Sequence, residues 1–190
     1  MREKPTMRQT KRNELVEKAL GVFYQNGFNA TGMDRLVAET GISKTSMYKH
    51  FKTKDDLILA ALKLRDEQFR NWMVQRIEKI AATPSDRILA LFDVLEEWFG
   101  MPGFSGCMFI NASAEFQDKQ HPVRAQSAEH KLLIQSYIRG LAKQAELPNP
   151  DRIARQMMLL KEGAIIAAHV TRSATAARDA KEAARVLLAA

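Results

Sequence analysis

Residues 31–54, TGMDRLVAETGISKTSMYKHFKTK, leave room for two short helices and the start of a third, and for little else. Thr31 is placed to cap a helix, with Asp34 three positions on as its capping-box partner. Leu36 and Val37 face inward. Gly41 stands where the chain must reverse, in a conformation that costs glycine little. Ile42 fills the angle between the helices, and Ser43 caps the next one. In that helix Met47 and Phe51, four residues apart, point back to the core. This leaves Lys44, Thr45, Ser46, Tyr48, Lys49 and His50 on the exposed sides. Thr53-Lys54-Asp55-Asp56 opens a following helix in the same way as Thr31.

The rest of the chain is helical by periodicity, with no strand signal of useful length and no internal repeat. A first helix runs from about Thr10 to Asn26, with Leu15, Val16, Ala19, Leu20 and Phe23 on one face, and Gly27 ends it. A long helix spans about Thr53 to Ala81. Thr83-Pro84-Ser85-Asp86 is a strong start signal for the next, which stops before Gly100-Met101-Pro102-Gly103. Further helices are expected over about 107–116, from Pro122 to about Glu146, from Pro150 to about Thr171, and over about 174–188. The fold class is all-α, with nine or ten helices. Residues 1–54 form an N-terminal three-helix domain of the helix-turn-helix kind, and 55–190 form a helical body.

Charge separates these two parts. Residues 1–54 carry 11 Lys/Arg against 5 Asp/Glu, whereas 55–190 carry 18 against 17, so the net +7 sits almost wholly in the first part. Arg2, Lys4, Arg8, Lys11 and Arg12 contribute to it. A basic domain on a near-neutral body suggests a polyanionic partner, nucleic acid first and an anionic membrane second. A helix fits the major groove of duplex DNA, with its N-terminal residues near base edges and hydroxyls and amines on the flanking phosphates. No apolar run reaches membrane-spanning length and no signal-peptide pattern follows the basic start, which places the chain in the cytoplasm. The single cysteine, Cys107, excludes an intrachain disulfide.

On these residues the segment of about 8–58 resembles the DNA-binding domain of the tetracycline-repressor-like (TetR) regulators. The resemblance rests on Phe23-Tyr-Gln-Asn-Gly-Phe-Asn-Ala-Thr31, on Gly41-Ile42-Ser43-Lys44, and on Ser46-Met47-Tyr48-Lys49-His50-Phe51 followed by Lys54. Gly32 departs from it, since a hydroxyl or larger residue is usual there. The resemblance implies phosphate contacts from Tyr48, His50 and Lys54 and base contacts from Lys44, Thr45 and Lys49. With Thr31, Ser43 and Ser46 these make up the expected DNA-binding set. It also implies that the body encloses a small-molecule pocket and pairs with its twin through its last two long helices. Residues 106–116 and 121–124 are similar to a subgroup of these regulators, a match that names no ligand. The expected function is a homodimeric DNA-binding regulator, a repressor released by a small-molecule effector. An activator, or a regulator without effector, is the alternative within the class.

The expected pocket walls are Trp72, Met73, Phe92, Leu95, Trp98, Phe99, Phe104, Met108, Phe109, Phe116, Met157 and His169. Aromatic and methionine side chains at helical spacing are more often plain core. Small residues over 162–169 let helices approach closely, so Gly163, Ala164, Ala167 and Ala168 with Tyr137 and Leu141 form the expected dimer face, against ordinary intrachain packing. No Lys or Arg lies near Cys107 in sequence, which favours a buried inert thiol over a reactive one. The four histidines, His50, His121, His130 and His169, have no metal-ligand spacing, and no phosphate loop or nucleophile elbow is present. Neither cofactor nor metal is expected. Two readings from other classes remain. A helical enzyme using the pocket would show turnover, and a membrane-surface protein would bind liposomes without duplex preference.

Overall fold

The computed structural model describes the backbone of residues 7–189 and the side chains of 9–189. Arg2, Lys4 and the side chain of Arg8, part of the basic start, lie outside the described residues. The described residues hold nine helices and no strand: α1 Met7–Asn26, α2 Met33–Thr40, α3 Lys44–His50, α4 Lys54–Ile80, α5 Pro84–Phe99, α6 Met108–Glu115, α7 Pro122–Gln144, α8 Pro150–Val170 and α9 Ala176–Ala189.

The helix boundaries follow local chemistry. Gly27 closes α1 at φ +79°, and Gly41 closes α2 at φ +69° with its amide on the Val37 carbonyl. Both are left-handed positions that a side chain makes costly. Ser43 Oγ accepts from the Ser46 amide at the start of α3. Thr53 and Asp56 form a reciprocal box at the start of α4: the Asp56 amide donates to Thr53 Oγ1, and the Thr53 amide donates to the Asp56 carboxylate. Thr83 caps α5 ahead of Pro84.

One expectation fails at α2. Its N-cap is Gly32, with extended backbone and no side-chain cap, not Thr31. Thr31 is fully buried and donates its hydroxyl to the Gly27 carbonyl at 2.6 Å. The turn that leaves α1 through Gly27 folds Thr31 inward, so its oxygen satisfies that turn and cannot reach the α2 amides.

Compactness divides the chain into two units. Among the described residues, the first comprises those up to 68 with 108–128 and the second 69–107 with those from 129 on, so the divisions fall inside α4 and α7. In the first unit Leu15, Phe23, Phe28, Leu36, Met47, Leu57, Ile58 and Leu62 are buried, with the Phe23 and Phe28 rings stacked at 5.5 Å. In the second, α5, α8 and α9 pack on one another. Phe69, Trp98 and Phe104 form a chain of edge-on rings there, 4.8 and 5.0 Å apart.

Candidate nucleic-acid interface and regulatory body

The helix α3 is held from below and open above. Met47 (1% exposed) and Phe51 are its anchors, and the Arg12 guanidinium lies 4.7 Å over the Phe51 ring. Opposite them Ser43, Lys44, Thr45, Tyr48 and Lys49 are exposed, while Ser46 and His50 are half-buried. This is the face expected from the four-residue spacing of Met47 and Phe51. Lys44 has a loose ion pair with Asp34 at 3.7 Å, both side chains largely in water, so little holds its ammonium back.

Two of the expected DNA contacts are occupied differently. Thr31 is buried and presents nothing to a duplex. Lys54 Nζ donates to the carbonyls of Phe28 at 2.7 Å and Thr31 at 3.0 Å. It neutralises the polar inside of the α1–α2 turn, a task that sequence spacing could not reveal because the partners are backbone groups 26 and 23 residues away.

In the second unit the expected pocket residues separate into three groups. Met73, Phe92, Leu95 and Met157 are at most 1% exposed and serve as core, and Trp98 is nearly as buried. Trp72 is half-buried beside Phe69. Phe99, Phe104 and His169 do come together. They line a cleft of about 690 Å³ with Glu96, Arg172 and the start of α9. Gly106 is required beside it, because a Cβ there would lie 2.8 Å from the His169 ring. Met108, Phe109 and Phe116 belong to the first unit instead. Met108 and Phe109 are buried, and Phe116 packs edge-on to Phe28 and stacks on His121 at 4.5 Å. Their contacts lie within the first unit, where α6 ends against the α1–α2 turn.

The expected dimer face is also partly corrected. Leu141 and Ala164 are 4% and 5% exposed within the chain, so neither is available to a partner. Gly163 is exposed, Ala167 and Ala168 are half-buried, and Tyr137 is half-buried with a hydroxyl that has no partner. Burial raises the Tyr137 pKa. Outside the expected set, the same helix exposes Leu159 (74%), Ile166 and Val170 (67%). With Gly163 they fall within roughly 60° of one another on a wheel of 3.6 residues per turn. The opposite side of α8 is the buried one: Ile153, Ala154, Met157, Met158, Lys161, Ala164 and Ile165. Separating two apolar stripes on α8 would have found this face from sequence.

Sequence also missed an ionic cluster. Lys161 is 1% exposed and donates to Glu162 at 2.8 Å, and Lys131 donates to the same carboxylate at 2.6 Å. Cys107 is buried, as expected, and a basic group absent from its sequence neighbourhood reaches it through tertiary contact: Lys131 Nζ lies 3.2 Å from its Sγ. Burial lowers the Lys161 pKa. Burial also opposes the charge on Lys131, yet Cys107 and Glu162 outweigh it and raise the pKa. Burial would raise Glu162, but Lys161 and Lys131 overcome it and hold the carboxyl below its ordinary range.

Comparison with known proteins agrees over most of the chain. Residues 15–61 match the family model described as bacterial regulatory proteins, tetR family, and residues 84–184 match the tetracyclin repressor-like C-terminal domain. The HTH-type transcriptional regulator YjdC of Escherichia coli (strain K12) is 23% identical over 162 residues, 85% of each chain. A TetR-family transcriptional regulator from Streptomyces coelicolor superposes with a TM-score of 0.85 at 26% identity, covering 97% of this chain and 96% of that one. The E. coli (strain K12) HTH-type transcriptional repressor NemR is 26% identical over 102 residues, 53% of this chain and 51% of its own. The reduced form of E. coli NemR shares the fold, with a TM-score of 0.84 at 21% identity over 93% and 96% of the two chains.

Proposed function

Because the chain belongs to the tetracycline-repressor family of bacterial transcription regulators and reads DNA through its helix-turn-helix, we propose that it is a homodimeric repressor released from a palindromic operator by a small-molecule effector. Residues 1–54 serve as the reading module and 55–190 as the regulatory body. The observation that carries this reading is α3, anchored by Met47 and Phe51 with Lys44, Thr45, Tyr48 and Lys49 exposed on the outer face. Lys44, Thr45 and Lys49 approach base edges, and Tyr48, His50, Ser43 and Ser46 steady the phosphates. Repression is supported by the likeness to the repressor NemR.

Two such modules on a two-fold axis must meet half-sites about 34–36 Å apart, or multiples of that. The α8 stripe of Leu159, Gly163, Ile166 and Val170 is the seam, because such an apolar row is costly to leave in water. The cleft beside Phe99, Phe104 and His169 receives the effector, which releases the operator by binding two arrangements of the dimer unequally.

Selection of bound duplexes from a random pool tests the DNA reading. The wild-type protein should enrich a palindrome. Lys44→Ala and Lys49→Ala should each change the enriched bases, since a good base contact contributes about 1–3 kcal/mol of discrimination. An unchanged selected sequence in both variants would remove α3 as the reading helix. For the seam, Ile166→Arg should give monomers by light scattering with helicity retained. A dimer that persists would place the seam elsewhere.

A further inference from the structure

The turn between α1 and α2 is gripped by groups from far along the chain, within the same compact unit. The Glu115 carboxylate, at the end of α6, accepts from the Phe28 amide at 3.0 Å and the Asn29 amide at 2.6 Å. The Asn29 side-chain amide donates back to the Glu115 carbonyl at 3.2 Å. Gly27 makes room for this carboxylate: a Cβ there would stand 3.0 Å from Glu115 Oε1, and its φ of +79° disfavours a side chain in any case. On the other polar side of the turn, Lys54 takes the carbonyls of Phe28 and Thr31. A negative group therefore holds the donors of this turn and a positive group holds its acceptors. The corner after α6 tightens the arrangement, because Phe116 packs on Phe28 and His121, and His121 Nε2 lies 3.3 Å from Asp55 at the start of α4.

We propose that Glu115 is a positioning residue for sequence-specific DNA reading: by fixing the backbone of Phe28 and Asn29 it sets the turn from which α2 and α3 are hung. Glu115 touches no duplex in this proposal. It lies within residues 84–184, matched by the C-terminal family model, yet it packs with the helix-turn-helix. The end of α6 thus reaches the turn that leads to the reading helix through two backbone amides. Charge-assisted hydrogen bonds of this kind are among the stronger ones in proteins. Specific reading requires base-edge contacts in register, whereas non-specific binding is an electrostatic attraction to phosphates that tolerates a misplaced helix. A positioning residue should therefore act on the ratio of the two affinities.

The experiment uses the full chain and a duplex selected by the wild-type protein, whose own retention of that duplex checks the reading through α3 separately. Affinities for the selected duplex and for a scrambled duplex are measured at one salt concentration, alongside thermal unfolding. Glu115→Ala should weaken the selected duplex about tenfold, the scale of one lost charge-assisted bond, and leave the scrambled duplex within about twofold. Glu115→Gln keeps an acceptor for one amide but turns an NH₂ toward the other. It should fall between wild type and Glu115→Ala and provides the test should the alanine variant fail to fold. A variant that melts earlier yet, while folded, keeps the wild-type ratio of the two affinities would overturn the proposal and reduce Glu115 to a stabilising residue.

Discussion

The molecule contains two ionic knots that solve opposite problems. In the DNA-reading unit, Lys54 and Glu115 hold backbone carbonyls and amides of one turn, and both side chains keep some access to water. In the body, Lys161 and Lys131 share one carboxylate, Glu162, and Lys161 has almost no access to water. The first knot spends charge on geometry, since its partners are fixed backbone dipoles and its loss leaves them to solvent. The second has charges that satisfy one another, so losing one member strands another where water cannot replace it. The lesson is that equal-looking ion contacts differ in what their removal exposes.

The largest effect should follow from breaking the buried knot. Glu162→Ala leaves Lys161 buried without its carboxylate, and an uncompensated buried charge costs about 3–5 kcal/mol. Denaturant unfolding should show a loss of that size, with a partial recovery in the double variant Glu162→Ala/Lys161→Met. A loss no larger than that of Lys54→Met would erase the distinction between the knots.

The same carboxylate sets an acid limit. The folded Glu162 pKa lies below its ordinary value of 4.5, so the unfolded chain binds the proton more readily. The stability it contributes is fully present above 4.5 and is lost as the pH falls through the folded value. In Glu162→Gln the stability curve should be flatter below pH 4.5 than in wild type. A curve parallel to wild type over that range would show that the lysines do not hold the carboxylate in its charged form.

Lys54→Met should cost less, about 1.5–3 kcal/mol, the range for hydrogen bonds to a charged group. It also decides how the lysine serves DNA binding. A cation committed to two carbonyls should weaken the selected duplex with the salt slope nearly unchanged. A slope smaller by about 1 would mean that it neutralises a phosphate.

The smallest effect belongs to a purely local device. Ser43→Ala removes the cap of α3 and should cost about 1 kcal/mol, with Ser43→Gly milder. Helicity and unfolding of the two variants check the order, and an alanine variant as stable as wild type would show that α3 is held by Met47 and Phe51 alone.

What sequence revealed and concealed divides along the range of the interactions. The ends of α1, α3, α4 and α5 were legible because Gly27, Ser43, Thr53 with Asp56, and Thr83 act on groups within a few residues. The exposed face of α3 was legible too, since the spacing of Met47 and Phe51 settles which side is anchored. The cap of α2 misled because Thr31 and Gly32 are adjacent, and only the inward fold of the turn chose between them. The α8 stripe was visible as apolar residues, but only the packing of α8 separates exposed Gly163 from buried Ala164 beside it.

By itself, then, the sequence determined an all-helical chain with a basic helix-turn-helix at its start, because caps, glycine turns and helical periods are short-range and each is decided by its neighbours. Tertiary structure alone decided that Glu115 and Lys54 close on the same turn, that Phe116 packs with the DNA-reading unit, and that Lys131 stands beside Cys107. These pairings join residues tens of positions apart. They depend on the angles at which helices pack, which no local pattern encodes.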